Sequence, residues 1–180
     1  VGKSTLVAKV VEASCLQAGG VLARERRYKD RRVGFELLDL CSGAIGILAD
    51  EAGSGPQLGK YRVHPEDLDG VGARAIEAAL KSDLIVVDEV GPMELTSRRF
   101  VSAVEMAIAS SKPMLVVLHQ WSNHRLAKKI RSTFQVFTVT RENREALAEE
   151  IAAVQAFVNE AIAADVEEVL DEYDIDRTDL

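Results

Sequence analysis

The 180-residue sequence has few cysteines, few aromatic residues and no long apolar run, and these shortages exclude several classes of protein. Its two cysteines, Cys15 and Cys41, do not form a C-x-x-C pair, so neither a disulfide scaffold nor a structural zinc site is expected. No apolar run approaches the roughly 18 residues that span a bilayer. The composition, 47% hydrophobic and 28% charged, is that of a globular domain, and the cysteine usage favours a reducing, cytoplasmic compartment.

Charge is distributed unevenly along the chain, whose net charge is −7. Residues 141–180 contain three arginines and thirteen aspartates or glutamates, a balance of −10, so residues 1–140 carry +3. A mildly basic body suits a polyphosphate ligand. We therefore predict one main domain over residues 1–160 and an acidic C-terminal extension over residues 161–180.

The first five residues, Val1, Gly2, Lys3, Ser4 and Thr5, match the second half of a phosphate-binding loop, G-x-x-x-x-G-K-[ST]. In such a loop Gly2 lets backbone N–H groups approach a phosphate, and Lys3 reaches the β- and γ-phosphates. The Ser4 hydroxyl can bind Mg²⁺, and Thr5 opens a helix whose positive end faces the anion. The other half of the loop, and the strand before it, are expected to precede residue 1.

A buried strand in the middle of the chain supports this interpretation. Residues 84–87 are all apolar, and Asp88 and Glu89 follow directly. A continuous apolar run of this length is typical of a strand buried on both faces of a parallel sheet, and open α/β sheets bind ligands where such strands end. The alternative interpretation of Gly2, Lys3 and Ser4 is an ordinary helix start in which Ser4 is the N-cap.

Helix-like and strand-like patterns alternate along the rest of the chain, and the alternation predicts an α/β fold. We expect the three-layer sandwich of a P-loop NTPase: a mostly parallel sheet, helices on both faces, a β-hairpin at one edge, and a first strand that precedes residue 1. The helix-like patterns cover 5–17, 65–81, 96–108 and 123–131 and resume near 141; the strand-like patterns cover 21–40, 45–48, 83–88, 113–119 and 134–139.

The predicted hairpin is strongly basic. Six of the nine residues from Arg24 to Arg32 are Lys or Arg, and the turn is expected near Lys29 and Asp30. One interpretation is a solvated, charged tip. The other is that some of these arginines face nucleotide phosphate or nucleic acid. The sequence does not separate the two.

The carboxylates at the end of the buried strand have distinct expected roles. In P-loop NTPases an Asp at this position holds Mg²⁺ together with the loop Ser or Thr, so we assign the metal to Asp88 and Ser4. A second carboxylate next to it, Glu89, could orient or deprotonate a water in line with the γ-phosphate. The alternative for Glu89 is an ordinary surface carboxylate.

Other polar residues could complete the site. His119 and Gln120 end the next apolar strand, where they could contact the γ-phosphate or the water, although a structural histidine is the simpler interpretation. Hydrolysis also benefits from a cation near the developing charge. The candidates for that cation are Arg98, Arg99, Arg141 and Arg144.

Several motifs together resemble those of the nucleoside-triphosphatase family first described from thermophiles. The run Asp88-Glu89-Val90-Gly91-Pro92-Met93-Glu94-Leu95 is similar to its D-E-[IV]-G-x-M-E-L signature. Residues 2–5 match its loop, residues 32–35 its hairpin, and Thr140-Arg141-Glu142-Asn143-Arg144 its T-x-E-N-R motif. In order, these motifs cover roughly residues 1–155.

The resemblance implies a small P-loop enzyme that uses Mg²⁺ to hydrolyse ATP, GTP and other nucleoside triphosphates to diphosphate and phosphate. It also implies that Asn143 and Arg144 lie near the base or the phosphates. The acidic segment after residue 160 has no counterpart in the resemblance.

Two other functions are compatible with the same motifs. One is a nucleotide or small-molecule kinase, in which the glycine-rich loop 52–60 would cover the second substrate. The other is a nucleotide-regulated interaction protein that holds a partner through the basic hairpin or the acidic tail. No membrane partner is expected, and a nucleic-acid partner has no support beyond the charge of the hairpin.

Overall fold

The computed structural model describes residues 3–14, 16–140, 142–143, 146–147, 149–151 and 162–166. For Lys3, Ser4 and residues 162–166 the description is of the backbone alone.

Helices and strands alternate in chain order. The helices are α1 (Lys3–Ser14), α2 (Pro65–Asp67), α3 (Arg74–Ala79), α4 (Arg98–Ala109) and α5 (Arg125–Thr133). A π-helical segment (Leu68–Ala73) joins α2 to α3, and a 3₁₀ helix (Glu94–Thr96) precedes α4. The strands are β1 (Ala18–Tyr28), β2 (Arg31–Asp39), β3 (Ile45–Asp50), β4 (Gln57–Leu58), β5 (Tyr61–Val63), β6 (Leu84–Val90), β7 (Met114–His119), β8 (Gln135–Val139) and β9 (Ile162–Val166).

All of the described strands belong to one sheet in the order β4-β5-β3-β2-β1-β6-β7-β9-β8. Strands β1, β6, β7, β9 and β8 are parallel to their neighbours in that series, whereas β2, β3, β5 and β4 continue the sheet in antiparallel pairs. The predicted α/β fold is confirmed. Its antiparallel side is wider than the single predicted hairpin, because β3, β4 and β5 extend it.

Helices cover both faces of the sheet, and the alternation of side chains along β6 shows why. Leu84 and Val86 belong to one buried cluster together with residues of α1, whereas Ile85 and Val87 belong to a second cluster with residues of α3, α4 and α5. A strand segment that is packed against helices on both faces is apolar at successive positions, as residues 84–87 are. The predicted layers are therefore present, and α1 lies on the opposite face of the sheet from α3 and α4.

The hairpin turn is where the sequence predicts it. Lys29 and Asp30 have φ angles of 47° and 61° and are the two residues between β1 and β2. Two residues with positive φ between antiparallel strands match the twist of those strands. Two arginines of the hairpin are paired within it, since Arg27 Nε donates to Glu25 Oε2 at 2.7 Å and Arg32 Nη1 donates to Glu25 Oε1 at 3.0 Å.

A small ionic cluster fastens the segment before α2 to β3. His64 Nε2 lies 2.9 Å from Asp50 Oδ1, and His64 Nδ1 lies 3.4 Å from Glu66 Oε1. Arg26 Nη1 contacts the other oxygen of Asp50 at 3.3 Å. The hydrogen bond with Asp50 raises the pKa of His64 above its ordinary value of 6.5, and the same bond lowers the pKa of Asp50 below its ordinary value of 3.8.

Replacement of His64 by Gln is expected to destabilise the protein by roughly 1 kcal/mol near pH 5.5 and by less near pH 8.5. The raised pKa of His64 means that its charge stabilises the fold below about pH 6.5, and that this contribution is lost as pH rises through the folded pKa. The lowered pKa of Asp50 preserves the carboxylate until the pH falls below about 3.8. Urea unfolding at both pH values measures the difference.

An Asp50→Asn background provides the control. There the His64→Gln change should cost nearly the same free energy of unfolding at both pH values, because the main carboxylate partner of the imidazolium is gone and only the longer, more exposed contact with Glu66 is left. An equal cost at both pH values in the parent chain would contradict the ion pair as the source of the effect.

Candidate active site

The carboxyl ends of β1, β6 and β7 lie at one edge of the sheet. Leu22 of β1 pairs with Asp88 of β6, and Asp88 pairs in turn with Val117 of β7, two residues before His119. Asp88, Glu89 and His119 are buried there, with relative exposures of 2%, 9% and 5%. Buried carboxylates are uncommon unless they are paired or functional, so this edge is the candidate active site.

An irregularity in β6 separates the two adjacent carboxylates. Asp88 pairs with Val117 and Val90 pairs with Leu118, so Glu89 is an additional residue in the ladder. A bulge of this kind changes the direction of a side chain relative to the regular alternation. The side chain of Asp88 follows those of Leu84 and Val86 on the face of the sheet that α1 covers. The side chain of Val90 lies in the cluster on the other face, because the extra residue shifts the alternation.

The N terminus of α1 points towards the same edge. At the opposite edge, the N–H of Gln17 donates to Asp83 Oδ2 at 3.2 Å, and the N–H of Asp83 donates to the carbonyl of Gln17 at 2.9 Å. The 12-residue helix before Gln17 is about 18 Å long and packs along the sheet, so its first residues lie near the carboxyl ends of the strands. The backbones of Lys3 and Ser4 therefore begin α1 on the side of the sheet towards which Asp88 continues.

A pocket opens on the other side of this edge and contains Glu89. Its volume is about 50 Å³. Its polar lining residues are three and all buried: Glu89, Glu94 and His119. The apolar lining residues are Ala23, Phe35, Leu48, Leu58 and Met93.

Gly91 explains how two glutamates can share this space. Its N–H donates to Glu94 Oε2 at 3.1 Å. A Cβ at Gly91 would lie 2.8 Å from Glu89 Oε1 and 3.1 Å from Glu94 Oε2, so a side chain there would displace the Glu89 carboxylate. The glycine of the D-E-V-G-P-M-E-L run thus leaves room for both carboxylates close to the backbone.

The loop after β7 is held by Arg131 of α5. Its guanidinium donates to the carbonyl of Ser122 at 2.8 Å and to that of His119 at 3.2 Å, and it also donates to the carbonyl of Gln120. Among the described residues, the buried Gln120 Oε1 has no hydrogen-bond partner. His119 and Gln120 are therefore presented from a loop with a fixed backbone.

Sequence reasoning gave no role to Glu94 or Arg131. Glu94 belongs to the quoted signature run, and its position five residues after Glu89 was the available signal. Nothing in the sequence around Arg131 indicates its three carbonyl partners, because these depend on how α5 packs under the loop.

Asn143 has a local structural role in the turn after β8. Its Oδ1 accepts from the N–H of Thr140 at 2.8 Å, and its Nδ2 donates to the carbonyl of Thr138 at 2.8 Å. The N–H of Asn143 donates to Thr140 Oγ1 at 3.3 Å. The motif residue thus shapes the turn, and a role in nucleotide binding stays a prediction.

The structure does not bring the other predicted site residues that it describes into the pocket. Arg99 donates from Nε and Nη2 to the carboxylate of Glu77 at 3.1 and 2.9 Å, so its guanidinium is paired on the surface. Arg98 and Thr5 are exposed. Val1, Gly2, Arg141 and Arg144 lie outside the described residues, as do the side chains of Lys3 and Ser4.

Metal binding by protein side chains alone has no support in the described part of the chain. No group there of three or more His, Cys, Asp or Glu residues could hold a metal ion. A single buried carboxylate such as Asp88 instead suits Mg²⁺, which commonly takes one or two carboxylates and completes its shell with phosphate oxygens and water.

None of the helices in the described ranges combines the length and the apolar composition that a membrane span requires.

Comparison with known proteins identifies the family. The model of a family described as NTPase matches residues 1–152. Nucleoside-triphosphatase THEP1 of Methanosarcina acetivorans is 49% identical over 155 residues, which cover 84% of this chain and 89% of the relative. The protein of the same name from Methanosarcina barkeri is 46% identical over 156 residues, covering 84% of this chain and 90% of that relative.

A solved structure agrees with the sequence comparisons. The crystal structure of THEP1 from the hyperthermophile Aquifex aeolicus superimposes with a TM-score of 0.75 at 27% identity, covering 86% of this chain and 93% of that one. Together with the buried carboxylates at the carboxyl edge, these matches show that the chain belongs to the NTPase family of nucleoside triphosphatases.

Proposed function

We propose that this protein hydrolyses nucleoside triphosphates, ATP and GTP among them, to nucleoside diphosphate and phosphate in the cytoplasm. The observation that carries the proposal is the divided pair Asp88 and Glu89, buried side by side at the carboxyl edge and directed to different sides of it. Hydrolysis needs one group for the metal-bound phosphates and another for the attacking water. The names of the relatives, nucleoside-triphosphatase, support the same reaction.

The phosphates would be held by the start of α1. In the proposal the backbone N–H groups of Val1 and Gly2 and the first turn at Thr5 surround the phosphate oxygens, and the Lys3 ammonium contacts the β- and γ-phosphates. Ser4 and Asp88 would hold Mg²⁺. When bound, Mg²⁺ would supply positive charge that offsets the negative charge developing on the phosphates as the bond to the γ-phosphorus breaks.

Glu89 would activate the nucleophile. As the water oxygen forms its bond to the γ-phosphorus, the water proton would pass to the Glu89 carboxylate, and the diphosphate would leave with the electrons of the broken P–O bond. Burial of Glu89 keeps bulk water away from this step.

The residues after β8 would contact the nucleotide as well. We propose that Asn143 and Arg144 approach the base or the phosphates, since the turn that contains Asn143 follows a strand whose carboxyl end lies at the same edge of the parallel series. In that arrangement the hydrogen bonds of Asn143 fix the turn, and Arg144 provides the direct contact.

A panel of four nucleoside triphosphates tests the proposed reaction. Each is incubated with the full chain and Mg²⁺, and the products are separated by ion-exchange chromatography. We expect nucleoside diphosphate and phosphate in equal amounts from more than one triphosphate, and loss of turnover when EDTA removes the metal. Release of pyrophosphate and monophosphate, or no metal-dependent release of phosphate, would contradict the proposal.

A further inference from the structure

We propose that the pocket beside Glu89 binds a small alcohol with an apolar body, and that this alcohol accepts the γ-phosphoryl group in place of water. The inference rests on the proposed function, because it requires that Glu89 faces the γ-phosphate of a bound triphosphate. It adds a second substrate and a phosphotransferase activity to hydrolysis.

The first reason is the size of the pocket. Hydrolysis requires one water beside the catalytic carboxylate, and a cavity holds one water in about 10–15 Å³. The pocket measures about 50 Å³, which is several times that volume. A hydrolase that positions only water has no need of the additional space.

The second reason is the nature of the walls. Apolar side chains surround most of the space: Ala23, Phe35, Leu48, Leu58 and Met93. A water molecule can form no hydrogen bond with these side chains. Most of the polar groups of the pocket lie together at the Glu89 end, where Glu94 is held by the N–H of Gly91. A ligand that complements this surface has one hydroxyl at one end and an alkyl or aromatic body at the other.

The third reason is that the apolar walls come from separate parts of the sheet. Ala23 belongs to β1, Phe35 to β2, Leu48 to β3 and Leu58 to the short strand β4. The glycine-rich segment 52–60 thus contributes Leu58 to the lining of the pocket. The ring of Phe35 packs against that of Tyr61, with their centroids 5.4 Å apart in an edge-to-face arrangement.

The charge of the pocket selects among possible acceptors. With Glu89 and Glu94 both lining it, an organic anion such as a carboxylate is disfavoured, because it has no hydrogen to donate to either glutamate. A neutral alcohol is not, and its O–H can donate to Glu89. As the alcohol oxygen bonds to the γ-phosphorus, its proton would pass to Glu89, and the nucleoside diphosphate would leave with the electrons of the broken P–O bond. The products are an alkyl phosphate, nucleoside diphosphate and a proton.

Binding can be measured without any nucleotide. The chain has three methionines, and labelling their methyl groups with ¹³C gives one NMR signal for each. Met93 lines the pocket, Met106 is 49% exposed on α4, and Met114 is buried in the core. Titration with pentan-1-ol should shift the Met93 signal in a saturable way and leave the Met106 signal unchanged, and pentanoate should shift neither.

Transfer can be measured as a ratio of two products. ³¹P NMR of the full chain with Mg²⁺, ATP and pentan-1-ol should show pentyl phosphate beside inorganic phosphate. Ala23→Leu fills the pocket with three additional carbons and should lower the ratio of pentyl phosphate to inorganic phosphate by about tenfold or more. Ala109→Leu makes the same change on an exposed position of α4 and should leave the ratio as in the parent.

The outcomes separate this inference from hydrolysis itself. Absence of both phosphorus products would refute the proposed function. Inorganic phosphate alone, with a Met93 signal that does not respond to pentan-1-ol, would overturn the acceptor site and leave hydrolysis intact. A product ratio that Ala23→Leu does not change would also overturn it, and the Met93 titration of the parent decides the matter if that variant does not fold.

Discussion

Replacement of Glu89 by Gln is expected to lower kcat for triphosphate hydrolysis by about 10²–10⁴-fold, while the Kd for the magnesium–nucleotide complex changes by less than about twofold. The amide has nearly the shape of the carboxylate but cannot accept the proton of the attacking water. Glu89 lines the pocket and is not one of the residues proposed to hold the phosphates at the start of α1, so those contacts should persist. Stopped-flow phosphate release and isothermal titration give the two constants.

Glu105→Gln is the matched control. Glu105 of α4 makes an ion pair with Arg125 of α5 at 3.3 Å, and it is not among the residues that line the pocket. Its loss should alter kcat by less than about twofold. If Glu89→Gln also leaves kcat unchanged, Glu89 is not the general base and the pocket loses its link to the chemistry.

Replacement of Asp88 by Asn is expected to lower kcat/KM by at least about 10²-fold and to weaken the binding of Mg²⁺ with nucleotide. A neutral amide is a much poorer ligand for a hard divalent cation than a carboxylate. The two variants should differ in nucleotide affinity: Asp88→Asn lowers both affinity and turnover, whereas Glu89→Gln lowers turnover alone. Titration with nucleotide in the presence and absence of Mg²⁺ measures it: the parent should bind far more tightly with the metal, and the variant should show little difference.

Asp83→Asn tests the specificity of this effect, because Asp83 precedes the other end of the same strand. It accepts a hydrogen bond from Gln17 at the amino edge, where no nucleotide contact is proposed. Its replacement should leave the metal dependence of binding intact. Equal losses in the two variants would indicate general damage to β6 and would contradict a metal role for Asp88.

The sequence predicted well those features that depend on neighbouring residues. The apolar runs that begin β6 and β7 were evident because residues 84–87 and 114–118 are buried and apolar without interruption. The hairpin turn at Lys29 and Asp30 was evident because two polar residues separate two alternating strands. The presence of Asp88 and Glu89 at the carboxyl edge followed from the end of one such run.

Features that depend on pairing between distant segments were missed. The displacement of Glu89 from the alternation arises from its register against β7, which the sequence of β6 alone does not contain. The pocket was missed for the same reason, since its walls come from strands that are up to about a hundred residues apart in the chain. Arg131 contacts three carbonyls only because α5 packs beneath the loop.

The C-terminal region gives a further example. The apolar spacing through Leu147, Ile151 and Ile162 predicted one long helix from about residue 141. Residues 146–147 and 149–151 are helical, but Ile162 begins strand β9, which is parallel to both β7 and β8. Pairing with one strand on each side, β7 and β8, outweighs a local helical spacing. Residues 162–166 of the predicted extension therefore belong to the sheet, and the domain boundary at residue 160 stays a prediction.

The central claim is that the beginning of α1 and the end of β6 bind one metal–nucleotide complex together. A double-mutant cycle of Ser4→Ala and Asp88→Asn, with the Kd of magnesium–nucleotide as the readout, tests it most directly. If the two side chains share one ion, the double variant should bind scarcely more weakly than Asp88→Asn alone, with a coupling free energy above about 0.5 kcal/mol. Additive losses would mean that the two residues act independently, and would contradict the account.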